Sequence, residues 1–309
     1  MTAPSRQFKR LEDCACPLCG PGGRNRLHQR VGGWAYYRCR MCGLLYLNPR
    51  PIERDMAAFY SSAQYYDSPQ QRGGYQTYER DRPFFVQTFR KRLDRIARLL
   101  RPGARVLDVG SGFGYTLEAL LERRYDAWAT DLPGAGLERC AQLVGDRAVS
   151  LHEAGRRLAG GSFDAITLFD VIEHIYDPAV TLKQCHRWLR PGGVLMLTTP
   201  DNRSWLARLS GRKWVSYKPP EHIFLFNRNS LLRLAGPYFE TMAAVPETQV
   251  VALDFLAERL ARLAAPLGAI ARAMALLPGT RYAGLSVPSG SITYIGLKRA
   301  GVPKGESRP

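Results

Sequence analysis

The chain has 309 residues, 45% of them hydrophobic, and 44 Lys and Arg against 27 Asp and Glu give it a formal net charge of +17. That length and apolar content suffice for one sizeable α/β core plus a small accessory module; no apolar run approaches the roughly 20 residues needed to span a bilayer, and no internal repeat is present. The basic balance raises nucleic acid as a partner, but the arginines are scattered along the whole chain rather than gathered on one segment, which weighs against it.

In chain order, the first element is a pair of C-x-x-C motifs, Cys16-Pro-Leu-Cys19 and Cys39-Arg-Met-Cys42, separated by 19 residues. Four thiolates at this spacing suit a tetrahedral zinc site with no open position, the structural kind. Gly20 and Gly43 lie just beyond each pair and relieve the bend. No secretory pattern precedes them, so a cytoplasmic, reducing compartment is expected, in which disulfides are rare. Residues 1–47 are therefore read as a zinc ribbon, with Cys16, Cys19, Cys39 and Cys42 as ligands and a structural cap favoured over a docking module. Cys14 is a spare thiol, whereas Cys140 and Cys185 are read as buried small hydrophobes. Residues 48–87, with the stretch S-S-A-Q-Y-Y-D-S-P-Q-Q-R-G-G-Y, read as a linker.

The most informative stretch follows. Val106 to Gly114 reads V-L-D-V-G-S-G-F-G, a short apolar run that ends in glycines at alternate positions, and Tyr115 to Arg124 has helical spacing. The glycines thus fall at a strand-to-helix turn, where α/β proteins bind nucleotides. Gly110, Gly112 and Gly114 form G-x-G-x-G; a dinucleotide fingerprint places its third glycine one residue later. Asp108, inside the strand end, would repel a pyrophosphate but can receive a cationic amino-acid ligand. Asp131, after the next apolar run Ala127 to Thr130, suits a carboxylate that holds ribose hydroxyls. Two later stretches continue the pattern. F-D-A-I-T-L-F-D-V-I-E-H-I-Y-D-P, Phe163 to Pro178, reads as a strand and the loop after it. L-R-P-G-G-V-L-M-L-T-T-P, Leu189 to Pro200, reads as a turn and a strand, with a crossover helix from Ala179 to Leu189 between them.

These motifs, in this order, resemble those of class I S-adenosylmethionine-dependent methyltransferases. The resemblance implies an α/β fold with a Rossmann-like seven-stranded methyltransferase sheet over residues 88–300, preceded by the small zinc ribbon. It implies that Asp108, Gly110, Ser111, Gly112 and Gly114 shape the methionine pocket, that Asp131 holds the ribose, and that Asp170 lies near the cofactor. The ribbon itself is similar to one that precedes many bacterial methyltransferases of small molecules, glycans and lipids, in which the following segment, here Phe59 to Tyr78, contributes to the substrate side. In quinone-type O-methyltransferases an acid-x-x-Glu-His set, here Asp170, Glu173 and His174, is linked to a divalent cation, and i, i+3, i+4 spacing would set all three on one helical face. Other members keep Glu-His without metal, which would put Glu173 on the cofactor side and make His174 a general base titrating near pH 6.5. Tyr217, Glu221 and His222, in a P-P-E-H segment before a helix at Ser230 to Ala235, are further substrate-side candidates, with His222 as a second base.

Phe239 to Val251 is expected to be the sixth strand and Ser291 to Arg299 the seventh. Between them, from about 252 to 280, lies an insert that reads as one or two amphipathic helices broken near Pro266 and Gly268, its sparse charges chiefly Arg259, Arg262 and Arg272. A helix of this kind rests on an anionic membrane surface, forms a dimer contact or closes over a substrate; the first gives a peripheral location at the inner face of the membrane. Residues 301–309 form a polar tail. The reading that follows is a methyltransferase acting on oxygen, with carbon as the second choice, of a small molecule, sugar or lipid-linked intermediate. An RNA methyltransferase that docks through the ribbon, and a non-catalytic zinc-ribbon binding protein with a methyltransferase-like fold, are the alternatives.

Overall fold

The computed structural model describes residues 8, 10–23, 25–60, 74–252, 257 and 284–299. The N-terminal strands are short: β1 (Leu11–Glu12), β2 (Arg26–Val31), β3 (Trp34–Arg38), β4 (Leu45–Leu47) and β5 (Arg50–Pro51). Gly32 and Gly33 close the β2–β3 hairpin, both with positive φ (55° and 87°), as the tightest two-residue turn demands. The first C-x-x-C motif precedes β2 and the second connects β3 to β4. Residues 48–87, read as a linker and substrate-side segment, contain two helices, α1 (Glu53–Tyr60) and the greater part of α2 (Gly74–Asp94). The latter packs on α3 (Tyr115–Glu122) and on a long strand near the C-terminus.

The second half is the expected sheet. β6 (Arg105–Val109), β7 (Asp126–Asp131), β8 (Ala148–Ser150), β9 (Phe163–Phe169) and β10 (Leu189–Pro200) run parallel, with α3, α4 (Ala135–Val144), α5 (Leu151–Arg157) and α6 (Pro178–Trp188) between them. All seven residues of β9 are buried, as a central parallel strand covered on both faces requires. Helix α6 starts where Asp177 accepts the Val180 N–H at 3.0 Å and Pro178 occupies the first turn, a start in which a side-chain acceptor and a residue lacking N–H together dispose of orphan donors. After α7 (Trp205–Ser210), β11 (Phe224–Leu225) and α8 (Arg228–Ala235), the strands β12 (Phe239–Val251) and β13 (Leu285–Lys298) complete the order β12-β13-β10-β9-β6-β7-β8, with β13 antiparallel to both its neighbours.

The ribbon does not stand apart from this sheet. β11 pairs with β4 and extends the ribbon's own sheet to four strands, β11-β4-β3-β2. One continuous apolar cluster runs from Trp34, Tyr36 and Tyr46 through Phe224 and Phe226 to Leu195 and Leu197. The insert expected at 252–280 lies outside the described residues apart from Ala252 and Ala257, and so does the tail 301–309. Among the described residues no helix is long and apolar enough to cross a membrane.

Candidate active site

The site begins at the end of β6. Asp108 is 2% exposed and accepts a short hydrogen bond from the Thr167 hydroxyl. Burial outweighs its hydroxyl donors and pushes the carboxyl up to about 7. Ser111 turns its hydroxyl back onto the Asp108 carbonyl at 2.8 Å. The glycines then serve different ends. Gly110 has φ 74°, and a Cβ there would lie 2.5 Å from Cγ2 of Val171. Gly112 has φ 50° with nothing within 4 Å of where its Cβ would point, so its demand is conformational, with open space left for a ligand. Its N–H donates to Asp131 Oδ2 at 2.6 Å, and the Leu132 N–H donates to Oδ1 at 2.6 Å. Asp131, at the end of β7, thus ties the glycine loop to the next strand, and burial raises its pKa.

This loop borders a cavity of about 630 Å³, well within the size range of small-molecule sites. Asp108, Gly110, Ser111, Gly112, Asp131 and Asp170 all line it; α1 contributes Met56 and Tyr60, and the segment after β9 contributes His174 and Tyr176. Gly114 stands behind the loop as the first cap of α3, where a Cβ would come 2.9 Å from Leu143. Helix α2 adds Phe85, Phe89 and Arg92. Among the described residues Arg92 is the one Lys or Arg in this lining. Its side chain is 4% exposed and donates from Nη1 to Asp170 Oδ2 at 3.0 Å, over the rings of Phe89 and Phe169 at 5.3 and 5.0 Å. Sequence reasoning did not single out Arg92, yet Phe85, Phe89 and Arg92 share one helical face at i, i+4, i+7, a phase that was available to find it.

Asp170 has φ 58°, the left-handed region that Asp tolerates better than most residues. The backbone reverses there, and a 3₁₀ turn, Ile172–His174, follows in place of an α-helical one. The expected set of Asp170, Glu173 and His174 on a single helical face is therefore not formed: Asp170 is directed to Arg92. The compact group is Glu173, His174 and His222, with ligating atoms within 4.8 Å of one another. Glu173 is 1% exposed, accepts the Thr199 hydroxyl at 3.0 Å and does not line the cavity. Burial, with Asp170 nearby, pushes its carboxyl up, and because it stands outside the lining its expected place on the cofactor side is corrected. His222 is also buried behind the wall, with Nδ1 2.9 Å from the Ser216 carbonyl and its ring 4.8 Å from that of His174; it does not line the cavity, so the expectation of a second base there is corrected too. Tyr217 faces the ribbon, where its hydroxyl meets His28 Nε2 at 3.0 Å.

His174 alone of these imidazoles lines the cavity. Its Nδ1 is 3.0 Å from the Glu221 carbonyl and 3.1 Å from the Tyr60 hydroxyl. A carbonyl only accepts, so the Glu221 contact favours the tautomer with the proton on Nδ1, whereas the Tyr60 hydroxyl, 3.4 Å from the same carbonyl, can act as donor or acceptor. Burial, then Lys218, pushes the imidazole down to about 4, which replaces the expected titration near pH 6.5. Tyr60 falls in the aromatic stretch that sequence reading assigned to the substrate side, but nothing in that stretch distinguished it from its neighbours.

In the ribbon, the Sγ atoms of Cys16, Cys19, Cys39 and Cys42 lie within 4.8 Å of one another, and Cys16 and Cys42 are 3.6 Å apart. None of the four is in a disulfide. Backbone bonds from Gly20 to Cys16 and from Gly43 to Cys39, at 2.8 and 2.9 Å, bend each pair inward. Cys14 lies outside the group and donates to the Leu47 carbonyl at 3.2 Å.

An acid-ended first strand, a glycine turn over a cavity and a parallel sheet with one reversed strand define a class I methyltransferase fold. Residues 78–236, just over half of the chain, match the family model described as methyltransferase domain, and the chain belongs to that family. It is 34% identical over 166 residues to a ubiquinone biosynthesis O-methyltransferase of Xanthomonas oryzae pv. oryzae (strain PXO99A), a match covering 46% of this chain and 69% of that protein. A protein of the same description from Pseudomonas aeruginosa (strain UCBPP-PA14) is 31% identical over 121 residues, 37% of this chain and 52% of the relative. Two solved structures share the fold at TM-score 0.50: the [4+2]-cyclase SpnF, 16% identical over 82% of this chain and 99% of that one, and a protein described under conversion of a disulfide bond into a thioacetal group during echinomycin biosynthesis, 14% identical over 79% and 93%. The chain is an S-adenosylmethionine-dependent methyltransferase.

Proposed function

We propose that the enzyme methylates a hydroxyl oxygen of a small phenolic or enolic acceptor, with His174 as general base. The observation that carries this reading is the place of His174 in the cavity wall with Nδ1 3.0 Å from the Glu221 carbonyl, a contact that favours the proton on Nδ1 and leaves Nε2 to accept one. The O-methyltransferase description of the relatives supports oxygen over carbon.

S-adenosylmethionine supplies an electrophilic methyl group on a sulfonium, so the protein has to align and deprotonate the acceptor. Asp131 suits the ribose hydroxyls, Asp108 the ammonium end of the methionine moiety, and Arg92 its carboxylate, since no other Lys or Arg is described in the lining. Gly110 and Gly112 let the backbone approach the ligand. In that reaction His174 would take the acceptor's proton as the oxygen receives the methyl group, the neutral thioether being the leaving group. Glu173 and His222 do not line the cavity, so no step of this mechanism runs through them. The four cysteines suit a structural zinc ion, with every ligand position taken by thiolate.

The test is His174→Ala assayed with a phenolic acceptor panel and labelled S-adenosylmethionine. The expected loss in kcat is about 10²–10⁴-fold, with cofactor affinity unchanged; wild-type turnover in the variant would remove His174 from the mechanism.

A further inference from the structure

The segment that holds His174 is itself held from behind by the ribbon, and the contacts fall on successive residues. Glu221 offers its carbonyl to His174 Nδ1. One residue on, the His222 carbonyl accepts the Tyr36 hydroxyl at 2.8 Å. The Ile223 carbonyl then accepts the Leu47 N–H at 2.9 Å, and Phe224 and Leu225 pair with Tyr46 and Leu45 of β4. Asn202 ties this strand to the second cysteine loop by donating to Leu225 O at 2.7 Å and to Gly43 O at 3.2 Å. Tyr36 is fully buried on β3, with its ring 5.4 Å from Tyr217.

We infer that Tyr36 is a positioning residue for the acceptor-side base: by fixing the His222 carbonyl it sets the preceding peptide, whose Glu221 oxygen selects the His174 tautomer. The inference rests on the reading of His174 as the base. The ribbon then acts as the back wall of the acceptor site. Loss of the hydroxyl leaves a buried carbonyl without its donor, and the peptide beside it is then held chiefly by the His222 N–H to the Lys218 carbonyl at 2.9 Å, one fixed point fewer to keep its oxygen on Nδ1. The ring itself stays in place in a Tyr36→Phe variant, which separates this role from packing.

The experiment compares wild type, Tyr36→Phe and His174→Ala by steady-state kinetics, cofactor affinity, metal content and long-range ¹H–¹⁵N spectra of histidine-labelled protein. In wild type the His174 signal is that of the Nδ1–H tautomer. In Tyr36→Phe that signal gives way to mixed tautomers, and kcat falls by about tenfold with cofactor affinity and metal content unchanged. A second variant, Asn202→Ser, loosens the same segment at Leu225 and shows the same pattern if Tyr36→Phe does not fold. If either folded variant keeps both the wild-type tautomer and kcat while His174→Ala loses turnover, the positioning role is overturned and the base assignment stands. If His174→Ala itself keeps turnover, both fall.

Discussion

Tyr60 and His174, 114 residues apart in sequence, meet at 3.1 Å between the phenol oxygen and Nδ1. Helix α1 thereby reaches the segment after β9, and the phenol adds a second contact to a ring already held by Glu221. Tyr60→Phe is expected to lower kcat by about 3- to 10-fold, far less than the 10²–10⁴-fold of His174→Ala, because the Glu221 carbonyl still favours that tautomer. Equal losses in the two variants, measured on the same acceptor, would give the phenol a chemical role of its own.

The pH dependence follows from burial. An imidazole pushed down to about 4 is a free base across the neutral range, so the acid limb of kcat/KM is expected near pH 4 rather than 6.5. Stability moves oppositely for two neighbours. His174 binds fewer protons folded than unfolded between about 4 and 6.5, so it stabilises less as pH falls through that window. Glu173, raised from 4.5 to about 8, binds more protons folded than unfolded, so its contribution is fully present below pH 4.5 and is lost as pH rises to 8. Glu173→Gln should therefore flatten the decline in melting temperature between pH 5 and 8; an unchanged slope would show that Glu173 ionises freely in the fold.

The glycines separate folding from binding. Gly110→Ala places a Cβ 2.5 Å from Val171 at φ 74°, so a markedly lowered melting temperature is expected. Gly112→Ala meets no atom within 4 Å and carries only the left-handed strain of about 1–2 kcal/mol, so the fold persists while cofactor affinity falls. Calorimetry of both variants with and without S-adenosylmethionine reads the two effects. Equal cofactor affinity in Gly112→Ala and wild type would place the ligand elsewhere.

The fused core makes a prediction about the metal. Because one apolar cluster joins the ribbon to the sheet and β11 crosses between them, Cys39→Ser is expected to lose bound zinc and to lower a single cooperative melting transition. A separate low-temperature transition that leaves the sheet's own melting untouched would mean that the ribbon folds independently.

The glycine-loop end of the cavity was legible because it is local: Asp108, Gly110 and Gly112 sit on one strand and turn, and Asp131 ends the next strand. The opposite end was not, because it is assembled from α1 and the turn after β9, backed by the P-P-E-H segment, and only tertiary packing decides which tyrosine or histidine faces inward. Asp170 shows the local limit: spacing alone proposed an α-helical turn, while a left-handed residue and a 3₁₀ turn sent its carboxylate to Arg92. β12 ran from Phe239 to Val251 as expected, but β13 began at Leu285, six residues early, since Pro288 and Gly290 read as strand breakers yet lie inside a strand with a register shift opposite Pro246 and Thr248.

The most direct test of the central claim is the bond the methyl group forms. Enzyme supplied with ¹³C-methyl S-adenosylmethionine and a fractionated host extract is predicted to give a product whose labelled carbon has the NMR signature of a methyl ether on a small phenolic or enolic molecule. Label on a carbon-bound methyl, or in RNA, would contradict the account.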